Sequence, residues 1–165
     1  MCQADFEGAL KPIEERIRQF LIARAKDADP SRPFTATITY GDLCKAVDPD
    51  EKYWSWPRFR GIGPVLGRVS TWEHMHQRPM LSALVVQAAT FQAGEGFAGL
   101  GRSLGEQIQP GQEKAFWRGQ VEAVIQYWTS PEKDESASDP LDKARALLAK
   151  ISGEVDEVRR LLGEA

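Results

Sequence analysis

Cysteine and histidine are scarce in this sequence, which contains two of each among 165 residues. Cys2 and Cys44 are spaced neither as a disulfide framework nor as a paired zinc-binding motif. His74 and His76 are two residues apart on a predicted helix, so they lie on different faces and cannot easily share one ion. The sequence therefore predicts no metal site and free, reduced thiols, which are typical of the cytoplasm.

Long apolar runs and enzyme motifs are also missing. No segment approaches about eighteen consecutive apolar residues, and the N-terminus lacks the basic and apolar regions of a secretory signal. The chain has no G-x-S-x-G turn, no P-loop and no G-x-G-x-x-G fingerprint. We therefore expect a cytoplasmic protein with no membrane span, no catalytic residue and no cofactor.

Apolar periodicity and turn residues predict a series of elements over the first 128 residues. The order is helix, strand, helix, helix, strand, a turn that leads to a second strand or a helix, and a last helix. This is the order of a winged helix, an α+β fold in which a helix-turn-helix carries a small antiparallel wing sheet. An ordinary α+β domain without a role in nucleic-acid binding is the alternative. The predicted segments are 12–28, 34–40, 42–47, 62–77, 81–88, 94–100 and 113–128, with Asp42 as the N-cap of the third.

The end of the sequence differs from the rest. Residues 129–140 are polar, acidic and rich in serine, and predict a linker between the domain of residues 1–128 and a final helix, 141–165. Apolar residues in that helix alternate at spacings of three and four, as in a coiled coil. We expect the helix to form a homodimer, and the alternative is that it folds back onto its own domain. The predicted dimerisation residues are Leu141, Leu148, Ile151, Val155, Val158 and Leu162.

Four short segments resemble the C-terminal half of O-alkylguanine-DNA alkyltransferases and of alkyltransferase-like proteins: ITYGDL, VLGRVS, LSALVV and GEGFAGLGR. The resemblance covers about residues 34–105 and implies a DNA-binding winged helix. In this alignment the reactive cysteine of that family falls on Ser82, and its activating histidine falls on Ala83. The arginine that the family inserts into the base stack falls on Pro64. The resemblance therefore implies DNA binding without alkyl transfer, because no activated nucleophile remains.

Basic residues are a minority overall, with 21 against 24 acidic residues and a net charge of −3, which argues against binding nucleic acid by bulk charge. Residues 52–78 nevertheless hold five basic residues and a single acidic one, Glu73. Such a patch can neutralise phosphates, and Arg68 is the residue that we expect to reach a base edge. The alternative is an ordinary solvated helix face. The predicted DNA contacts are Tyr40, Lys52, Arg58, Arg60, Arg68, Thr71 and Arg78.

Aromatic residues are interleaved with the cations of this patch. Trp54 and Trp56 could stack on unpaired bases or line a ligand pocket, or they could simply cover a gap in the core.

Three functions remain open at this level. The sequence favours a non-enzymatic, dimeric duplex-DNA-binding protein with a regulatory or defence role. The alternative is an adaptor whose winged helix and C-terminal helix recruit a partner protein. A third is an effector that binds a nucleotide or a damaged base between Trp54, Trp56 and Arg60.

Overall fold

The computed structural model describes residues 9–54 and 61–130. The chain divides into two units, Met1–Thr129 and Ser130–Ala165, and the division falls where the acidic linker was predicted to begin. The predicted linker and dimerisation helix therefore lie almost entirely outside the described residues. None of the helices in the described ranges is long and apolar enough to cross a bilayer.

The described part of the chain is an α+β structure. It has five α-helices, two short 3₁₀ helices (Pro33–Ala36 and Leu81–Leu84) and two short strands. The strands are β1, Ile38–Thr39, and β2, Val85–Val86. The helices are α1, Pro12–Lys26; α2, Tyr40–Val47; α3, Ile62–Met75; α4, Gly96–Ser103; and α5, Glu113–Thr129.

The two strands are parallel, so the predicted antiparallel wing sheet is wrong. Ile38 pairs with Val85 and Thr39 pairs with Val86. Parallel strands need a long crossover connection, and α2, α3 and their loops provide it. The segment predicted as a second wing strand or a helix entry is the start of α4. No hairpin therefore forms between β2 and that segment.

Local signals explain why the predicted strands are shorter in the structure. Pro33 fixes its own φ angle and opens a 3₁₀ turn instead of a strand. Thr39 then ends β1 and caps α2, because its hydroxyl oxygen accepts a hydrogen bond from the Asp42 N–H at 3.2 Å. The N-cap of α2 is therefore Thr39, three residues before the predicted Asp42.

The core forms around α1, which contacts both α3 and α5. Ile17 and Leu21 of α1 are completely buried. The 3₁₀ helix that leads into β2 lies between the longer helices, and the indole N–H of Trp117 donates to the Ala83 carbonyl at 2.9 Å. This packing fixes α3 against the core by one side and exposes the other.

Candidate nucleic-acid interface

One side of α3 forms an uncharged stripe that is exposed or half-buried, consisting of Gly63, Pro64, Gly67, Thr71 and Met75. Residues spaced by four lie above one another on a helix, so the stripe runs along the helix axis. A Cβ atom added at Gly63 or Gly67 would meet no atom within 4 Å, so the stripe is flat and open. Another backbone can therefore approach α3 closely along this side.

The stripe carries no carboxylate, because the one acidic residue of α3 is buried on the opposite side. Glu73 is 0% exposed and lies between two arginines from other parts of the chain. The guanidinium Nε of Arg18 bonds to one carboxylate oxygen, and Arg78 Nε lies 2.6 Å from the other. Burial lowers the pKa of Arg18, but the charges and hydrogen bonds of Glu73 and Glu15 together outweigh burial and leave the pKa raised. Glu73 therefore adds little negative potential to the surface.

Arg78 does not belong to a solvent-facing basic patch, which corrects the prediction from sequence. Only 9% of the residue is exposed, and its guanidinium is committed to Glu73. Moving Arg78 to contact a phosphate would break this ion pair and leave the second oxygen of the buried Glu73 carboxylate without its cation.

Arg68 is held by α1. Its Nε lies 2.7 Å from Glu14 Oε1, and 39% of its side chain is exposed. Glu14 is buried, and its other oxygen accepts the N–H of Lys11 at 2.8 Å, at the start of α1. A nearby phosphate would therefore see a guanidinium whose charge is partly balanced by Glu14. Reading a guanine edge would require Arg68 to share or leave this pair.

Besides Arg68, two more of the predicted DNA contacts lie at or near the surface. They differ in exposure and in hydrogen bonding. Lys52 is exposed in the loop that follows α2. Thr71 is half-buried, and its hydroxyl donates to the Gly67 carbonyl of its own helix at 2.8 Å. Arg58 and Arg60 lie outside the described residues.

Trp54 is buried, so the prediction that it stacks on a base or ligand is wrong for the structure as it stands. Only 7% of Trp54 is exposed, as expected for the alternative in which it covers the core. Trp56, the second predicted stacking residue, lies outside the described ranges.

Asp48 fixes the loop that brings Trp54 inward. Its carboxylate accepts the backbone N–H groups of Lys52, Tyr53 and Trp54 at 3.0, 2.8 and 3.0 Å. Burial alone raises the pKa of Asp48, but these three hydrogen bonds and Arg16 outweigh it, so the pKa is lowered. Sequence reading treated this segment as an unstructured loop and missed the role of Asp48.

A pocket of about 270 Å³ opens beside the stripe, since Gly63 and Gly67 line both. Its remaining walls come from α2, the Leu81–Leu84 turn, α3 and α4. Tyr40 and Ser82 supply the hydroxyl groups of the lining, and Phe97 supplies an aromatic wall. Burial raises the pKa of Tyr40, and a backbone hydrogen bond with Gly94 opposes that shift. The lining residues are Tyr40, Gly63, Leu66, Gly67, Ser82, Gly96, Phe97 and Leu100.

The chemistry of Ser82 is that of a hydrogen-bonding group. Its hydroxyl lies 2.7 Å from the Ser70 hydroxyl, and its backbone N–H donates to the same Ser70 oxygen at 3.0 Å. Another serine is not a base that could take the Ser82 proton, so this pair supplies no activated nucleophile. The pocket can therefore bind a small ligand group through its shape and through hydrogen bonds, without reacting with it through Ser82.

No family model, curated protein or solved structure matches this chain. Function is therefore inferred from the stripe, the pocket and the charges around them.

The pocket and stripe residues that were not predicted from the sequence are marked there only weakly. Phe97 stands in the GEGFAGL segment that carries the resemblance, while Gly63 and Gly67 show only as two glycines four residues apart.

Proposed function

We propose that this chain is a non-enzymatic protein that binds duplex DNA, with α3 lying against the nucleic acid. The observation that carries the proposal is the uncharged stripe of α3. It is flat at Gly63 and Gly67, and the acidic residue of the helix is turned into the core. A phosphate backbone can approach such a surface without meeting a fixed negative charge.

The positive charge for this contact comes from a smaller set than the sequence indicated. Lys52 and the exposed part of Arg68 lie in the described residues, and Arg58 and Arg60 of the intervening segment remain predicted contacts. Tyr40, another predicted DNA contact, lines the pocket and would act there. A few phosphate contacts give binding of modest affinity that falls steeply with salt.

The pocket adds a place for a flat group from the DNA. Sites for drug-sized ligands occupy roughly 300–1,000 Å³. The pocket here, at about 270 Å³, is smaller and suits a single base more than a larger ligand. The Tyr40 and Ser82 hydroxyls supply hydrogen-bonding groups, and Phe97 supplies a surface for stacking. The resemblance to alkyltransferase-like proteins supports DNA binding alone, because Pro64 stands where that family has the arginine that enters the base stack.

Dimerisation remains part of the proposal through the heptad segment. The residues from Leu141 to Leu162 lie outside the described ranges, so the pattern of spacing alone supports this part. Two copies would present two α3 helices to one duplex, as dimeric helix-turn-helix proteins do.

The test is fluorescence anisotropy of a labelled random-sequence duplex at about 50 mM and about 200 mM salt. We expect binding at low salt, weaker binding at high salt, and a large loss of affinity in Arg68→Glu. Lys114→Glu is the matched control, because Lys114 is an exposed residue of α5 and the change in charge is the same. No binding at either salt would refute the proposal and favour the adaptor function.

A further inference from the structure

Phe91 is an exposed aromatic residue on an unusual backbone. Its exposed fraction is 68%, well above that of Tyr53 and Met75, the other large apolar residues exposed in the described ranges. Its φ angle is +52°, in the left-handed region that residues with a Cβ atom rarely adopt. Strained backbone of this kind persists only where the surroundings impose it, and it often marks a functional position.

The turn that carries Phe91 is held by its own hydrogen bonds. The Phe91 N–H donates to the Gln87 carbonyl at 2.8 Å, and the Gln87 N–H donates to the Gln92 carbonyl at 2.8 Å. The Thr90 hydroxyl donates to the Gln87 side chain, which closes the turn further. The backbone that carries the ring is therefore held in place, and little backbone entropy is lost when the ring binds.

The surroundings of the ring are small and uncharged. Ala88 and Ala89 are exposed beside it, and residues 79–94 contain no charged side chain. A protein interface of standard size needs roughly 800 Å² on each partner. One exposed ring and the two nearby alanines of the same turn offer far less apolar area than that. The exposed apolar surface of this turn is therefore a narrow wedge, formed by the Phe91 ring.

The turn begins and ends next to the proposed DNA site. It follows directly after buried β2, and its end at Gly94 approaches Tyr40, where a Cβ atom would come within 3.0 Å of the phenol oxygen. Tyr40, Gly96 and Phe97 line the pocket that shares Gly63 and Gly67 with the stripe of α3. The end of the turn therefore lies beside a residue of the pocket lining, Tyr40.

We propose that Phe91 is an apolar wedge that inserts between stacked base pairs when α3 contacts duplex DNA. This inference rests on the proposed function. Inserted apolar side chains unstack a base step and kink the duplex, and a rigid ring on small neighbours can enter without steric conflict with the DNA backbone. Insertion beside the pocket would also loosen the base that the pocket receives.

The test uses the full chain and a short duplex that carries 2-aminopurine, whose fluorescence rises when it is unstacked. We expect the wild-type chain to bind and to raise the fluorescence. Phe91→Gly removes the ring and suits the positive φ angle, so the fold is retained while affinity falls about tenfold and the fluorescence change disappears. Phe91→Trp should keep both signals. Gln77→Gly is the matched control, because Gln77 also has a positive φ angle, +58°, and carries no ring.

The outcomes separate the wedge from the proposed function. Binding by the wild-type chain without a fluorescence change, together with unchanged affinity in Phe91→Gly, overturns the wedge and leaves duplex binding intact. Equal loss of affinity in Gln77→Gly and Phe91→Gly also overturns the wedge, because the loss would then come from the backbone. Absence of any duplex binding by the wild-type chain overturns both and turns attention to a protein partner for the exposed ring.

Discussion

Arg78 Nε lies 2.6 Å from Glu73 Oε2 in the interior, although both residues belong to the segment that appears as a basic surface patch in the sequence. Arg18 approaches the same carboxylate from α1. The three charges join α1 to α3 and to the residues that follow α3. They help to hold α3 against α1, together with the buried apolar residues of α3.

The first prediction concerns this buried ion cluster. Glu73→Gln removes the carboxylate that pairs with buried Arg78 and leaves Arg18 only the partly exposed Glu15, so the free energy of unfolding should fall by about 3–5 kcal/mol. Denaturation with urea, followed by circular dichroism, measures the change. Glu122→Gln is the control, since Glu122 is exposed on α5 and its loss should change stability by no more than about 0.5 kcal/mol. Equal stability of the two variants would contradict the role of the cluster.

The second prediction concerns Asp48 and pH. Its pKa is lowered in the folded protein, so its contribution to stability is present above the unfolded value of about 3.9 and is lost as pH falls through the folded pKa. Asp48→Asn should lower the free energy of unfolding by about 1–3 kcal/mol at pH 7, because an amide replaces the carboxylate acceptor of three N–H groups.

Urea denaturation over a range of pH below neutrality measures this effect. The difference between wild type and Asp48→Asn should shrink as the pH drops below about 4. Asp50→Asn is the neighbouring control, and it should follow the wild type because Asp50 is exposed. A constant difference at every pH would argue against the hydrogen-bonded carboxylate as the source of the stability.

The third prediction tests the stripe of α3. Gly67→Glu should reduce affinity for duplex DNA by about tenfold or more, because a carboxylate would face the phosphates on an otherwise uncharged surface. The helix itself should gain stability, since glycine disfavours the helix interior by about 1 kcal/mol and an added Cβ atom has open space.

Gly119→Glu is the matched control for this prediction. Gly119 lies within α5, and a Cβ atom there also meets nothing within 4 Å. The same change in charge and helix propensity is thus made away from α3. A similar loss of DNA affinity in both variants would show that net charge, and not the stripe, governs binding.

The fourth prediction contrasts two glycines of α4. A Cβ atom at Gly101 would lie 2.8 Å from the Phe116 ring and 2.9 Å from Ile108, so Gly101→Ala should destabilise the fold by about 1–3 kcal/mol. Gly99→Ala, two residues earlier, meets no atom within 4 Å and should be neutral or stabilising. Thermal unfolding of the two variants distinguishes them, and equal transition temperatures would count against close packing at Gly101.

Local sequence signals determined the helices of this protein. The predicted starts of α1 at Pro12, α3 at Ile62 and α5 at Glu113 are confirmed, because each depends on apolar periodicity and nearby terminal residues. The two predicted strands are present but shorter, for local reasons as well. Pro33 begins a 3₁₀ turn before β1, and Thr39 ends β1 by capping α2. Alternation of residue types over 34–40 was a weaker signal than these two residues. A second 3₁₀ turn, Leu81–Leu84, shortens β2.

Only the tertiary structure decided the site. Arg18 and Glu73 are 55 residues apart in the chain, and Glu14 and Arg68 are 54 apart, so no local pattern indicates that they pair. Without those pairs, Arg68 and Arg78 both look like solvent-facing cations of one patch. The sequence by itself determined where helices form and which residues are apolar. The long-range pairing of buried charges, which burial makes obligatory, decided which cations of the segment face solvent.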